Sequence, residues 1–279
     1  MGQALLDHEP LLRAAAFLAV FAAVALWERR APRRRPRWGW RARWTANLGI
    51  AALGTLLVRL VFPAAALGAA AFASKQGWGI FQQLDGPVAL AFVVSVIVLD
   101  LAVYLQHVVF HTVPVLWRLH LVHHADMDFD ATTGLRFHPL EILLSMLWKA
   151  GVVLLLGAPA AAVLAFEILL NATAVFNHGN ARVPLGLDRL LRWVVVTPDM
   201  HRVHHSVVRG ETNSNFGFNL PWWDRLLGTY RAQPAAGHED MTIGVEQLQS
   251  GPPAGLGQLL AMPWRADPGR YPIGGRSGS

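Results

Sequence analysis

Residues 87–106 read PVALAFVVSVIVLDLAVYLQ, a run of bilayer-crossing length with one charged side chain, Asp100. A spanning helix needs about 20 mostly apolar residues, because hydrocarbon offers backbone N–H and C=O groups no partner outside the helix itself. Comparable runs lie at about 11–28, 46–73, 140–157 and 160–177. Only 15% of the chain is charged and 53% is hydrophobic, against the roughly 25% charged residues of a soluble domain. The fold class expected is all-α: an integral membrane helical bundle with a helical cap on the cytoplasmic side.

Two of the runs carry internal punctuation. The 46–73 stretch contains Arg59 and Pro63, and it reads equally as one kinked span or as two pieces. Residues 140–177 are interrupted only by Gly157, Ala158 and Pro159, which predicts a helical hairpin turning there. Lys149 and Glu167 then stand at similar depth on its two arms. They are expected to pair, or one to contact the active-site side, since unpaired charges inside a membrane are costly.

The formal charge of +6 resembles a nucleic-acid signal until it is located. Eight arginines fall within residues 29–43, directly after the first apolar run. That position makes them a topology determinant holding the segment in the cytoplasm, with no role for nucleic acid. The first run has its positive charge behind it, so it reads as a retained anchor and not a cleaved leader. Alternation then puts the 74–87 loop outside, and residues 107–139 and everything after the hairpin in the cytoplasm. Three regions follow: a membrane anchor region at 1–87, a catalytic region at 88–232 and a loop-rich tail at 233–279. GPPAGLGQ reads as loop in that tail, and the closing GGRSGS as disordered.

Every histidine motif falls on that one side. His107 and His111 are spaced i, i+4, while His120, His123 and His124, and again His201, His204 and His205, follow HxxHH. On helices such spacing turns imidazoles toward common points at preset separations. The chain has no cysteine, so any metal must be held by N or O ligands. Eight or nine imidazoles, counting His178 in NHGN, exceed the four that a zinc ion takes, and two ions are implied. Imidazole suits iron, copper, nickel and zinc alike. Asp100 and Tyr104 lie seven and three residues before His107 on the same stripe. Asp100 is a candidate acceptor for an imidazole N–H. Asp126, Asp128 and Asp130 read as an exposed loop, Asp199 as a helix cap, and Trp222 and Trp223 as interfacial anchors. His8 and His238 lie outside every motif and read as dispensable.

Residues 100–141, NHGN at 177–180 and TPDMHRVHHSVVRGETNSNFGFNLPWWDRLLGTY at 197–230 together resemble the fatty acid hydroxylase and sterol desaturase superfamily of membrane non-haem diiron enzymes. The resemblance implies two iron ions, with O2 as co-substrate and a lipid C–H bond as the target of hydroxylation or desaturation. Carried over residue by residue, the implied ligands are His107, His111, His120, His123, His124, His178, His201, His204 and His205. His138, in FHPLE, is either a tenth ligand or a residue behind the ligands that holds a carboxylate in place. One departure is Val108, where members often carry a basic residue. No glycine motif for a flavin or nicotinamide is visible, so electrons would come from a separate donor of cytochrome or ferredoxin type. A membrane zinc hydrolase would carry a general-base Glu in an HExxH arrangement, which is absent. A metal transporter would distribute its ligands across the spans.

Overall fold

The structure is a computed structural model that describes residues 8–274. Those residues are helical, with two isolated bridges, Pro32 to Ala181 and Ser206 to Ile243, and no strand among them. Five segments are long and apolar enough to cross a membrane. They comprise α1 (Glu9–Arg30), the pair α2 (Trp40–Val61) and α3 (Ala65–Gln76), α4 (Val88–Thr112), and the hairpin of α6 (Pro139–Leu156) and α7 (Ala160–Asn177). Between α4 and α6 lies α5 (Pro114–His124). Beyond the hairpin come α8 (Pro198–His204) and α9 (Leu256–Arg265), with short helical turns between them.

The second apolar run breaks where Pro63 interrupts it, so α2 and α3 form two helices of one kinked segment. Proline removes a backbone donor and crowds the preceding turn, which is why the helix stops at Val61. The hairpin turns at Gly157, whose φ of 64° is the left-handed conformation that caps α6. Gly79 presses its backbone against this turn: a Cβ there would lie 2.1 Å from Gly157 N. The far end of the bundle is thereby closed on itself.

Leu99, Val103, Met146, Val153 and Phe166 form the apolar centre between α4, α6 and α7. Leu18, Leu60, Leu90 and Leu155 remain exposed on the outer faces, as spanning helices require. Lys149 Nζ lies 2.9 Å from Glu167 Oε1, and Arg13 reaches Glu167 Oε2 at 2.6 Å. The two hairpin charges pair as expected, with a third charge from α1.

At the other end of the bundle the cap packs against the helix termini, and here three sequence expectations are corrected. Asp126 and Asp130 are buried rather than exposed, and Arg43 donates to both at 2.5–2.7 Å. Asp128 accepts from the backbone N–H groups of Arg37 and Trp38. The arginine-rich segment therefore clamps the cap as well as following a span: Arg33 pairs with Asp199, and Arg34 donates to the carbonyls of His238 and Met241. Asp199 does not cap α8. Thr197 takes that place, accepting from Met200 N, while Asp199 pairs with Arg202 and Arg33. GPPAGLGQ is not loop throughout, because α9 starts inside it, and the tail packs through buried Met241, Ile243, Val245, Leu259 and Tyr271. Of GGRSGS, residues 275–279 lie outside the described residues.

Candidate metal centre

Helix α4 ends because Pro114 forces Val113 into an extended conformation (φ −91°, ψ 115°), and α5 restarts with Pro114 in its first turn. The reversal folds α5 back on α4 and brings two helical histidine pairs face to face. His107 Nε2 lies 3.1 Å from His120 Nε2, and His111 Nε2 lies 3.1 Å from His124 Nε2. Helix α8 approaches from the opposite side with the second triplet. His178, one residue beyond α7, closes the arrangement, its Nε2 at 3.2 Å from His123 and 3.1 Å from His201.

Nine imidazoles fall into two sets. His107, His111, His120, His124 and His204 form one, and His123, His178, His201 and His205 form the other; within each set the candidate ligand atoms lie within 4.8 Å of one another. Each triplet serves both sets. In HxxHH the first and third histidines are one turn apart and share a face, while the middle one points across to the other set. Thus His120 and His124 enter the first set and His123 the second, whereas His201 and His205 enter the second and His204 the first. His138, His8 and His238 belong to neither.

The outward nitrogens of five rings have fixed partners. His107 Nδ1 donates to Phe216 O (2.8 Å), His178 Nδ1 to Ala174 O (2.7 Å) and His204 Nδ1 to Ser214 O (2.7 Å). His111 Nδ1 donates to Asn213 Oδ1 at 3.0 Å and His120 Nδ1 to Glu141 Oε1 at 2.6 Å. An acceptor at Nδ1 holds the proton there and leaves the Nε2 lone pair directed into the set. Burial keeps the rings neutral: it pushes His120 and His178 down to about 3. His123, His124, His201, His204 and His205 are likewise held well below the ordinary imidazole value, first by burial and then by neighbouring imidazoles. Inward nitrogens such as His204 Nε2 and His205 Nε2 are buried without any hydrogen-bond partner. Neutral imidazoles with inward lone pairs and no carboxylate among them fit two divalent transition-metal ions.

The carboxylate beside the centre is Glu141, not Asp100. Helix α6 starts at Pro139, so Glu141 lies in its first turn and reaches His120. Asp100 Oδ2 accepts instead from Trp223 Nε1 (2.8 Å) and Leu220 N (3.3 Å). The Tyr104 hydroxyl meets Thr229 Oγ1 at 2.8 Å, and Thr229 donates to Asp224. Asp224, raised to about 6 by burial, accepts from Phe216 N and Gly217 N and so shapes the loop whose carbonyls hold His107 and His204. Asp100 and Tyr104 therefore hydrogen-bond to residues 220–229 and not to an imidazole, one step further out than their spacing from His107 indicates. Trp223 is spent on Asp100, while Trp222 is exposed and donates to Trp193 O. His138 caps α6, accepting from Leu140 N, and its Nε2 donates to Leu260 O. Both of its nitrogens are engaged away from the clusters.

A cavity of about 640 Å³ runs from His107 and His120 between the spanning helices. Val103, Phe110, Met146, Leu170 and Phe218 supply apolar wall, and Thr55, Arg59, Pro63 and Ala64, all exposed, line its outer part.

Fold and site together describe a multi-pass membrane protein in which nine buried histidines form two sets that could hold metal, beside a cavity between the spanning helices. The chain belongs to the fatty acid hydroxylase family, whose profile matches residues 92–229. It is 32% identical over 158 residues to an ornithine lipid hydroxylase of Rhizobium tropici, covering 56% of this chain and 46% of that protein. To human alkylglycerol monooxygenase it is 29% identical over 139 residues, 48% of this chain and 29% of the relative. To rat cholesterol 25-hydroxylase it is 26% identical over 144 residues, covering 50% and 47%. The matched part spans less than half the length of each of these relatives. No solved structure matches the chain.

Proposed function

We propose that this chain is a membrane diiron oxygenase that hydroxylates or desaturates a lipid C–H bond, using O2 and electrons from a separate cytochrome- or ferredoxin-type donor. The observation that carries the reading is the division of nine neutral imidazoles into two sets with inward lone pairs. The relatives, whose names describe lipid hydroxylases and monooxygenases, support the same chemistry. His107, His111, His120, His124 and His204 would hold one iron, and His123, His178, His201 and His205 the other. When bound, the pair supplies the reductive activation of O2 that no side chain of this protein can perform.

The chain's own contribution is placement and exclusion. Phe216, Ser214 and Ala174 carbonyls, with Asn213 and Glu141, orient the rings by accepting hydrogen bonds from their Nδ1–H groups. Glu141 is the carboxyl group that reaches the ligand set, where two bound cations would otherwise be largely uncompensated. Phe137 stacks on His123 with ring centroids 4.3 Å apart, which limits water at that ring. The cavity admits a chain from the bilayer to His107 and His120. The arginine-rich segment supports a centre on the cytoplasmic side under the positive-inside rule. Impermeant labelling of Ser279→Cys in intact cells would overturn that orientation.

Lipid mass spectrometry of cells expressing wild type or His204→Ala tests the activity, paired with metal analysis and reductant-dependent O2 uptake of the purified protein. Iron, O2 uptake and an oxidised lipid lost in the variant are expected. Zinc without O2 uptake would replace this reading with a hydrolase.

A further inference from the structure

The cavity is not uniformly apolar, and its polar side is ordered. Glu141, Ser145 and Lys149 succeed one another at four-residue spacing on α6, which aligns them down one helix face. Asn171 and Glu167 form the matching stripe on α7, and all five line the cavity. The stripe ends in charge: Glu167 is shared between Lys149 and Arg13, and Glu9 pairs with Arg13. Arg59 lines the same space from α2 and has no acidic partner among the described residues. At this end of the cavity three cations therefore face two carboxylates, while the third lining carboxylate, Glu141, is held by His120 at the other end. A purely structural ion network needs no spare guanidinium, and ionisable groups between spanning helices generally mark the path or seat of a substrate.

We propose that Arg59, with Lys149 and Arg13, forms a seat for an anionic oxygen group, a carboxylate or phosphate, on the lipid that enters the cavity. The inference rests on the lipid-oxygenase reading for what the cavity holds. Lys149 stands eight residues along α6 from Glu141, the partner of His120, and that spacing is about 12 Å on a helix. A chain of roughly ten bonds covers this distance, and the apolar wall at Val103, Met146 and Leu170 lies between the two ends. The substrate class assigned is an amphiphile anchored by its anion at one end of the cavity, with the carbon presented to the histidines roughly ten bonds away.

Binding tests this without depending on turnover. The full chain in nanodiscs of neutral lipid, at mildly alkaline pH, is titrated with hexadecanoate, hexadecyl phosphate and hexadecanol. Wild type is expected to bind one or both anions at least about tenfold more tightly than the alcohol, the value of one charge-assisted contact. The better of the two anions identifies the group. Arg59→Gln, which breaks no ion pair among the described residues, should reduce that preference about tenfold, with metal content and hexadecanol binding unchanged. Lys149→Met should act in the same direction. Equal binding of all three probes by wild type, or an Arg59→Gln loss shared equally by alcohol and anions, would overturn the seat. O2 uptake on the same samples separates the two readings. Anion preference without uptake leaves the seat standing and removes the oxygenase; uptake without preference does the reverse.

Discussion

Replacing Arg43 by methionine tests whether the arginine-rich segment is structural. Arg43 is 2% exposed and donates to Asp126 at 2.7 and 2.6 Å, to Asp130 at 2.5 Å and to Thr133 at 3.1 Å. Methionine keeps much of the volume and removes the charge. Asp126, 1% exposed, would then rely on Arg136, whose nearest nitrogen is 3.7 Å away. Breaking a buried pair on one side typically costs about 3–5 kcal/mol, a large share of the roughly 5–15 kcal/mol that holds a domain together. Removing both partners costs less than the two single changes added, so Arg43→Met with Asp126→Asn should recover part of the loss. A sign change with pH accompanies it. Burial alone would raise the Asp126 carboxyl, but the Arg43 and Arg136 guanidiniums hold it well below the usual range. Its contribution in wild type is therefore intact at neutral pH and lost only in strong acid. Without Arg43 burial prevails, the carboxyl rises, and its contribution is favourable in acid and lost as pH climbs. Thermal unfolding in detergent at neutral and mildly acidic pH reads both effects: the gap between variant and wild type should narrow on acidification. Strictly additive single and double changes, or an Arg43→Met protein that melts with wild type at neutral pH, would refute the argument.

His204→Ala should deplete the five-histidine set and His205→Ala the four-histidine set, and iron stoichiometry with a spectroscopic signature of the remaining ion tells the two apart. Glu141→Gln keeps an acceptor for His120 but removes the carboxyl group that could balance bound cations; metal affinity or activity should fall about 10–100-fold, while thermal stability moves little. On the proposed diiron reading, His138→Ala should leave the metal content unchanged and cost about 1 kcal/mol as a lost helix cap, whereas loss of metal would make His138 a ligand after all. His238, pushed down to about 4 mainly by burial, favours the neutral ring in the fold. Its contribution is present above about 6.5 and drains away as pH falls toward 4, by up to roughly 3 kcal/mol, so His238→Phe should flatten the melting profile across that window.

The spans and the histidine motifs were legible because each rests on local periodicity: apolar length for a helix in lipid, and i, i+3, i+4 spacing for a shared face. The hairpin at Gly157 was legible for the same reason, and so was the pairing of Lys149 with Glu167. The long-range partners were not. Nothing in ADMDFD distinguishes an exposed acidic loop from a buried one until Arg43, more than eighty residues earlier, is brought against Asp126 and Asp130. Asp100 shares a stripe with His107, yet one helical face can serve several neighbours, and Trp223 claims the carboxylate. Glu141 was visible in FHPLE, where Pro139 puts it in the first turn of α6. Its reach to His120 depends on how α5 folds back, which spacing does not encode. The backbone carbonyls of Ser214 and Phe216 leave no trace in side-chain identity at all.

The cavity meets the flank of the bundle at Thr55, Arg59, Pro63 and Ala64, while its inner end lies at His107 and His120. A molecule using that route passes sideways from the bilayer and never becomes an aqueous solute. The concentration that governs saturation is then a mole fraction within the membrane. Adding inert lipid should slow the reaction at constant substrate per volume, whereas concentrating the vesicles should not hasten it per enzyme. Competition would follow the same arithmetic, so abundant bulk lipids compete for the route according to their share of the leaflet weighted by their affinity.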